Sequence, residues 1–277
     1  MAEDSIFRWT GTELTLLPAD MLNSGGRLRV AESWLLSDGQ TRSLLNHYRR
    51  FQRATSAWRE SPPLWDFLTA VTESMPRRGH WVAQIEYLHG DDRSPILQLR
   101  TTAPAPHHHT VSLWTHPAPD PRTYPAFLGP DWAMMLQLRR QANMYGADDS
   151  VLLDTSGHVL GTTFDTMAWW RAETLCLPPY GPRVTGSVTR EIVEDIAHAS
   201  GVSIRYEEVS PEELTDHEVW TICDLYGIRS VSRWMHDGTD IAPAPSQRAR
   251  LWQRRLAQFA LPLPQSPVLP SAPAEET

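Results

Sequence analysis

Apolar and polar residues alternate from Ile6 to Leu17 on either side of Gly11, a period of two that predicts a strand pair joined by a tight turn. The same period runs through residues 31–36 ahead of Ser37-Asp38-Gly39, and Asp-Gly marks a second hairpin there. The spacing then becomes helical. Leu44, Leu45, Tyr48, Phe51 and Trp58 recur at helical intervals over residues 41–58, with Arg49, Arg50 and Arg53 between them. A second helix is predicted over residues 62–75, where Pro63 suits a first turn and Leu64, Phe67, Leu68 and Val71 form the buried stripe. Residues 80–88, 96–102 and 110–116 alternate again, as strands of an antiparallel sheet do.

Between residues 103 and 125 the pattern lapses and Pro117, Pro119, Pro121 and Pro125 collect, which places a domain boundary near 118–128. Beyond it, residues 131–145, 187–200 and 246–259 read as helices. Residues 150–154, 159–177, 202–208 and 218–222 read as strands, the first two around Thr155-Ser156-Gly157. The stretch from 261 onward holds five prolines, ends in charge, and reads as a disordered tail. No internal repeat is visible. The expected organisation is a two-domain α/β (α+β) protein: an N-terminal α+β domain (1–120), a linker (121–128), a C-terminal α/β domain (129–262) and a proline-rich tail (263–277). A ligand cleft is expected at the domain interface.

The length of 277 residues accommodates these domains and a sizeable core. With 33 acidic against 25 basic side chains and a net charge of -8, the chain lacks the basic stripe a nucleic-acid partner requires. The pairs Arg49-Arg50, Arg139-Arg140 and Arg254-Arg255 read instead as solvated helix faces. Two cysteines, Cys176 and Cys223, are too few for a disulfide framework and fit a reducing compartment. No apolar run reaches the ~18 residues of a membrane span, and residues 1–8 show no basic-then-apolar leader. A cytoplasmic protein without membrane partners is therefore expected.

All 25 basic residues are arginine; the chain contains no lysine. Arginine stays protonated at physiological pH and cannot serve as a nucleophilic amine, so Schiff-base chemistry by this chain's own lysines is excluded. A GC-rich genome is the plain explanation of the bias.

His107-His108-His109 with His116 does not predict a metal site: neighbours on a strand point to opposite faces, and no carboxylate or cysteine completes the set. Cys176 and Cys223 have no CxxC partner and read as buried small hydrophobes. Trp169 and Trp170 alternate across a strand, one toward the core and the other toward a cavity or partner, with core packing favoured over ligand stacking. Neither GxGxxG, GxxxxGK[ST] nor GxSxG occurs.

One constellation carries more. Gly129-Pro130-Asp131-Trp132 opens a helix, residues 146–154 lead into a hairpin, and His158-Val159-Leu160-Gly161-Thr162-Thr163 follows. Then come Trp169-Trp170, Ser187-Val188-Thr189-Arg190 at a helix start, and residues 218–231. Upstream lie residues 31–35 before Asp38-Gly39, then His47-Tyr48-Arg49-Arg50-Phe51. This order resembles the class IV aminotransferases, the fold-type IV pyridoxal-phosphate family that includes branched-chain aminotransferases and 4-amino-4-deoxychorismate lyase, the lyase-like branch being closest. The resemblance spans about residues 6–260.

It implies a fold-type IV architecture, a homodimer, and a phosphate grip formed by Arg50 with Ser187, Val188 and Thr189. A helix N-terminus and an arginine fork independently suit an anion. At the remaining family positions the chain departs. Leu128 stands where the Schiff-base lysine belongs, Gly161 where a carboxylate faces the pyridine nitrogen just before Thr162-Thr163, Trp132 in a tyrosine position, and Cys223 where the lyases carry Asn. Both groups that make pyridoxal phosphate an electron sink are absent, so no covalent cofactor is expected and a non-covalent one is the remaining form.

Three functions follow as expectations. The first is chemistry independent of a pyridoxal-phosphate Schiff base on a small amino, keto or phosphorylated acid, with Asp131, Cys223 and Tyr226 for proton transfer and Arg100 or Arg229 for the substrate carboxylate. The second is a catalytically silent binding or regulatory homologue. The third is a weak aminotransferase or lyase with non-covalent pyridoxal phosphate. In each the partner is a small anionic molecule.

Overall fold

A computed structural model describes residues 4–18, 26–58, 64–184 and 186–265. The chain divides into two compact units, Met1–Pro104 with Leu261–Thr277, and Ala105–Ala260.

The first unit follows the alternation closely. Strands β1 (Ser5–Trp9) and β2 (Leu14–Leu16) form the opening pair, and β3 (Arg27–Ser37) turns into β4 (Gln40–Arg42). Asp38 (φ 47°) and Gly39 (φ 73°) supply the positive φ that a two-residue hairpin turn needs, and the Asp38 carboxylate accepts the Gly79 N–H at 2.8 Å. Helices α1 (Leu44–Ser56) and α2 (Trp65–Ser74) precede β5 (His80–His89) and β6 (Pro95–Thr102). The prolines expected at the start of α2 lie outside the described residues. Because side chains alternate, Trp34 and Leu36 of β3 share a face with Ile85 of β5, and this face packs on Tyr48 and Phe51 of α1 and Phe67, Leu68 and Val71 of α2.

The second unit holds β7 (Thr110–Thr115), α3 (Trp132–Met144), β8 (Asp149–Leu153), β9 (Val159–Thr162), β10 (Thr166–Arg171), β11 (Thr174–Leu177) and α4 (Val188–Ala199). It continues with β12 (Ile204–Tyr206), β13 (Val219–Cys223), β14 (Gly227–His236), β15 (Thr239–Asp240) and α5 (Ala249–Ala257). Its sheet runs β12-β11-β10-β13-β14-β7-β8-β9, with β15 on β14. The alternation along β14 is broken by a register shift between Val231 and Arg233, which is why the pattern alone does not announce this ten-residue strand.

β7 pairs in parallel with β14 and β8, rather than extending an antiparallel sheet from residues 80–102. The stretch 118–128 consequently falls inside the second unit. There the buried Asp120 carboxylate binds Arg122 at 3.0 Å and Arg183 at 2.8 Å, anchoring the loop.

Both faces of this sheet are covered. Trp170 joins Trp220 and Trp252 beneath α4 and α5, with ring centroids 5.4 to 5.7 Å apart. Trp169 packs on the opposite face with Met167 and Trp234. Both residues of the Trp169-Trp170 pair are thus core residues, each donating its large apolar area to a different layer. The last strand, β16 (Ala260–Pro262), joins the first unit's sheet, whose order is β16-β4-β3-β5-β6-β1-β2. Leu263 is buried in that unit's core and its N–H donates to Gly39 O at 2.8 Å, so the expected tail begins with an ordered attachment; residues 266–277 lie outside the described residues. Among the described residues no helix is long and apolar enough to cross a membrane.

Candidate functional site

The start of α4 shows how the second unit treats negative charge. Ser187 is the N-cap, extended at φ -139°, and its Oγ accepts the Arg190 N–H. The next free donors do not face a gap. Asp224, which directly follows β13, accepts the Ser187 hydroxyl at 2.8 Å and the Thr189 N–H at 2.7 Å on the same carboxylate oxygen. The carboxylate occupies the favourable end of the helix dipole, the place an exogenous anion would take. Within the same region the Thr189 hydroxyl is buried without a partner among the described residues.

Around Leu128 the chain enters α3 with Leu128, Asp131 and Trp132 half-buried. Gly129 and Asp131 lead into α3, and Asp131 accepts the Tyr124 N–H at 2.7 Å through its side chain. Trp132 leans on Phe164 with centroids 4.9 Å apart. A small pocket of about 10 Å³, scarcely room for one water, is lined by Leu128, Trp132, Met135, Thr163 and Phe164. At Gly161, φ is 153° and a Cβ would stand 2.8 Å from the Asp165 carbonyl oxygen. An acidic side chain at this position therefore meets a backbone built for glycine.

Beneath this surface lies a charged cluster that sequence reasoning only partly identifies. Asp149 is fully buried; it accepts the Thr163 hydroxyl at 2.5 Å and the Thr162 hydroxyl at 3.3 Å, with Arg139 at 3.5 Å. Burial raises its pKa, with the Arg139 charge opposing and Asp165 reinforcing the shift. Asp165 in turn pairs with Arg229 at 2.5 Å. Burial is the largest single influence and works against the Arg229 charge, but Asp165 together with Cys223 and Asp149 outweighs it and the net shift is upward. Arg229 Nε is buried without an acceptor among the described residues. Cys223 sits among these groups, its thiol pushed up to about 12 by burial and then by Asp165, so it is protonated at neutral pH. Tyr226, also raised by burial, is stacked at 4.4 Å on His107.

In the first unit, Arg50 lies 3.3 Å from one oxygen of the buried Glu32 carboxylate while His47 Nδ1 lies 2.6 Å from the other. Arg100 donates to Glu86 at 3.3 Å, beside Gln84 and Gln98, which bind the same carboxylate. Arg50, Arg100 and Arg229 thus each have a carboxylate counterion within their own unit.

Among the expected site residues, the structure brings Ser187 and Thr189 together at one helix start, and gathers Thr162, Thr163, Cys223, Tyr226 and Arg229 in one cluster. Asp131 is engaged with the loop backbone. Pattern reasoning does not identify Asp224, Asp149, Asp165 or Arg139. Asp224 is within its reach, since it adjoins Cys223 in the turn before Gly227. An aspartate in a turn nonetheless reads first as a turn former.

Residues 29–234 match the sequence model of the family described as amino-transferase class IV. A segment of 86 residues, 31% of this chain and 28% of the relative, is 33% identical to a putative branched-chain-amino-acid aminotransferase of Methanocaldococcus jannaschii. One of 117 residues, 42% of this chain and 39% of the relative, is 25% identical to a probable branched-chain-amino-acid aminotransferase of Rickettsia felis. The matched segments thus span well under two thirds of these curated relatives. In fold, the chain is similar to a T.th. branched-chain amino acid aminotransferase complexed with N-(5'-phosphopyridoxyl)-L-glutamate, at TM-score 0.76 and 16% identity, covering 92% of this chain and 93% of that one. A hypothetical aminotransferase from Mycobacterium tuberculosis, in a PLP-bound form, is similar at TM-score 0.74 and 19% identity, covering 93% and 98%.

The residues present do not fit pyridoxal phosphate. The unpartnered Thr189 hydroxyl would suit a phosphate oxygen, but the Asp224 carboxylate holds the adjoining donors and would repel a phosphate dianion. The chain has no lysine to carry the cofactor, and a side chain at position 161 would meet the Asp165 carbonyl oxygen.

Proposed function

The chain belongs to the class IV aminotransferase family, and from that premise we propose that it keeps the fold as a catalytically silent binding or regulatory member rather than as a pyridoxal-phosphate enzyme. The observation that carries this reading is the Asp224 carboxylate on the Ser187 hydroxyl and the Thr189 N–H. An intramolecular anion, held at high effective concentration, outcompetes a free phosphate for the same donors. The absence of lysine supports the reading. In it the protein is a cytoplasmic homodimer, as the resemblance and the cysteine usage suggest, with a small anionic molecule as partner.

A second reading, an enzyme acting without a Schiff base on a small keto or amino acid, is favoured by one feature: Arg229 has a buried Nε–H with no acceptor, which a substrate carboxylate would satisfy. The protonated Cys223 and the raised Tyr226 offer protons rather than a nucleophile. Non-covalent pyridoxal phosphate is the third reading, and it requires the Asp224 carboxylate to yield its place.

An absorbance titration with pyridoxal phosphate tests these alternatives, run on the wild type and on Asp224→Ser. The expected result is no saturable binding by the wild type up to about 1 mM, and a gain of at least about tenfold in the variant. Saturable micromolar binding by the wild type overturns the proposal.

A further inference from the structure

A second feature of the Ala105–Ala260 unit has no part in the site above. Along α5, beside β14 and the start of β7, lies an open cavity of about 770 Å³, well inside the range of sites that hold small organic ligands. Its floor is apolar, formed by the buried Ile228, Val231 and Ala249, and Pro243 and Pro245 extend that wall. The rim is cationic. Arg250 and Arg254 both line the cavity, four residues apart on one face of α5, and His109 lines it too.

These arginines differ from most others in the unit. Arg122, Arg139, Arg171, Arg183, Arg190, Arg229 and Arg248 all have carboxylate partners. Arg250 and Arg254 have no ion pair, hydrogen bond or ring contact among the described residues. Among the described residues no acidic side chain lines the cavity, although the chain as a whole carries a net charge of -8. The carboxylate nearest in the bonding network, Glu218, is held by Ser246, Arg248 and Trp220 and is neutralised by Arg248 at 3.1 Å.

Like charges at i and i+4 repel each other on a helix, so an uncompensated pair carries a small cost in the free protein. Placed over an apolar floor, the same pair is complementary to a molecule with an anionic head and an apolar body. Burying the body removes hydrocarbon from water, and the guanidinium forks receive the head. We propose that this groove is a binding site for a small organic carboxylate with an apolar chain, held by Arg250 and Arg254. A neutral molecule of the same shape forfeits the head contact, and inorganic phosphate forfeits the floor. The site draws on neither Asp224 nor the region around Leu128, so it stands or falls separately from the reading above.

The test is equilibrium dialysis of radiolabelled octanoate against the full chain, with octanamide and inorganic phosphate as competitors. The expected result is one octanoate bound per chain with a Kd below about 1 mM. Octanamide and phosphate should compete at least roughly tenfold more weakly, and Arg250→Gln/Arg254→Gln should weaken octanoate by at least about tenfold. Ser232→Trp, which places a large ring in the groove while both arginines are kept, should abolish binding. Three results overturn the proposal: equal competition by octanamide, unaltered affinity in the double glutamine variant, or no binding at about 5 mM octanoate. A dimer in sedimentation that the double variant dissociates, with no octanoate bound, also overturns it and assigns the face to a second copy of the chain.

Discussion

Strand β13 is bracketed by two carboxylates, each of which closes the start of a helix. Asp224, after the strand, takes the donors of α4, whereas Glu218, before it, accepts from Arg248 N and Ser246 Oγ at the start of α5. The two helices part company after that. On α4, Arg190 is fully buried and paired with Glu194 at 2.9 Å. One turn into α5, Arg250 and Arg254 face a cavity without a counterion. The difference separates charge that serves the fold from charge that is available to a ligand. In the first case the partner is covalently part of the chain and the surroundings are packed; in the second the partner is missing and the space is open.

Variants at these positions test the contrast, beginning with the largest expected effect. Glu218→Ala leaves the Trp220 indole N–H, the Ser246 hydroxyl, the Arg248 N–H and the Arg248 guanidinium without their acceptor, and should cost about 3 kcal/mol in urea denaturation. Asp224→Ala leaves the Ser187 hydroxyl and the Thr189 N–H without their acceptor, although Ser187 still caps α4, and should cost about 1 to 2 kcal/mol; added phosphate should recover part of the loss in this variant and leave the wild type unmoved. An Asp224→Ala protein as stable as the wild type would break the comparison.

The Glu218 difference should also depend on pH. Burial raises the pKa of Glu218, but hydrogen bonds from Arg248 N–H, Ser246 and Trp220 outweigh it, and the net shift is below the usual carboxylate range. A depressed acid stabilises the fold above its unfolded pKa and loses that contribution as pH falls through its folded value. Stability curves of wild type and Glu218→Gln should therefore converge below about pH 4 and separate above it.

Arg250→Gln/Arg254→Gln should lie within about 0.5 kcal/mol of the wild type, since these side chains hold nothing in the fold. A larger loss would mean that they are structural after all. The smallest effect concerns the thiols. With Cys176 raised to about 11 and Cys223 to about 12, chiefly by burial, iodoacetamide at pH 8 should leave the native protein unmodified over an interval in which the urea-unfolded chain reacts fully, as read by mass spectrometry.

Legibility from the sequence tracks how local each determinant is. The α1 stripe of Leu44, Tyr48 and Phe51, the Asp38-Gly39 turn and a helix start at residues 187–190 follow from neighbours within a few residues, and the structure places each as the pattern predicts. The strand β14 does not announce itself, because a bulge at Val231 and Arg233 breaks its period. The parallel pairing of β7 with β14 joins residues about 120 apart, which no local pattern encodes.

The sequence alone determined that this chain has no lysine amine to offer and that glycine occupies position 161. It also set the order of helices and strands by which the family can be recognised, because these depend on residue identity and short-range spacing. The tertiary structure decided where charge ends up. It placed the Asp224 carboxylate on α4 across 35 residues of chain, set Arg229 against Asp165 across 64, and left Arg250 and Arg254 beside a cavity with no partner. Whether a charged side chain is satisfied depends on groups distant in sequence and close in space, and only the folded chain brings those together.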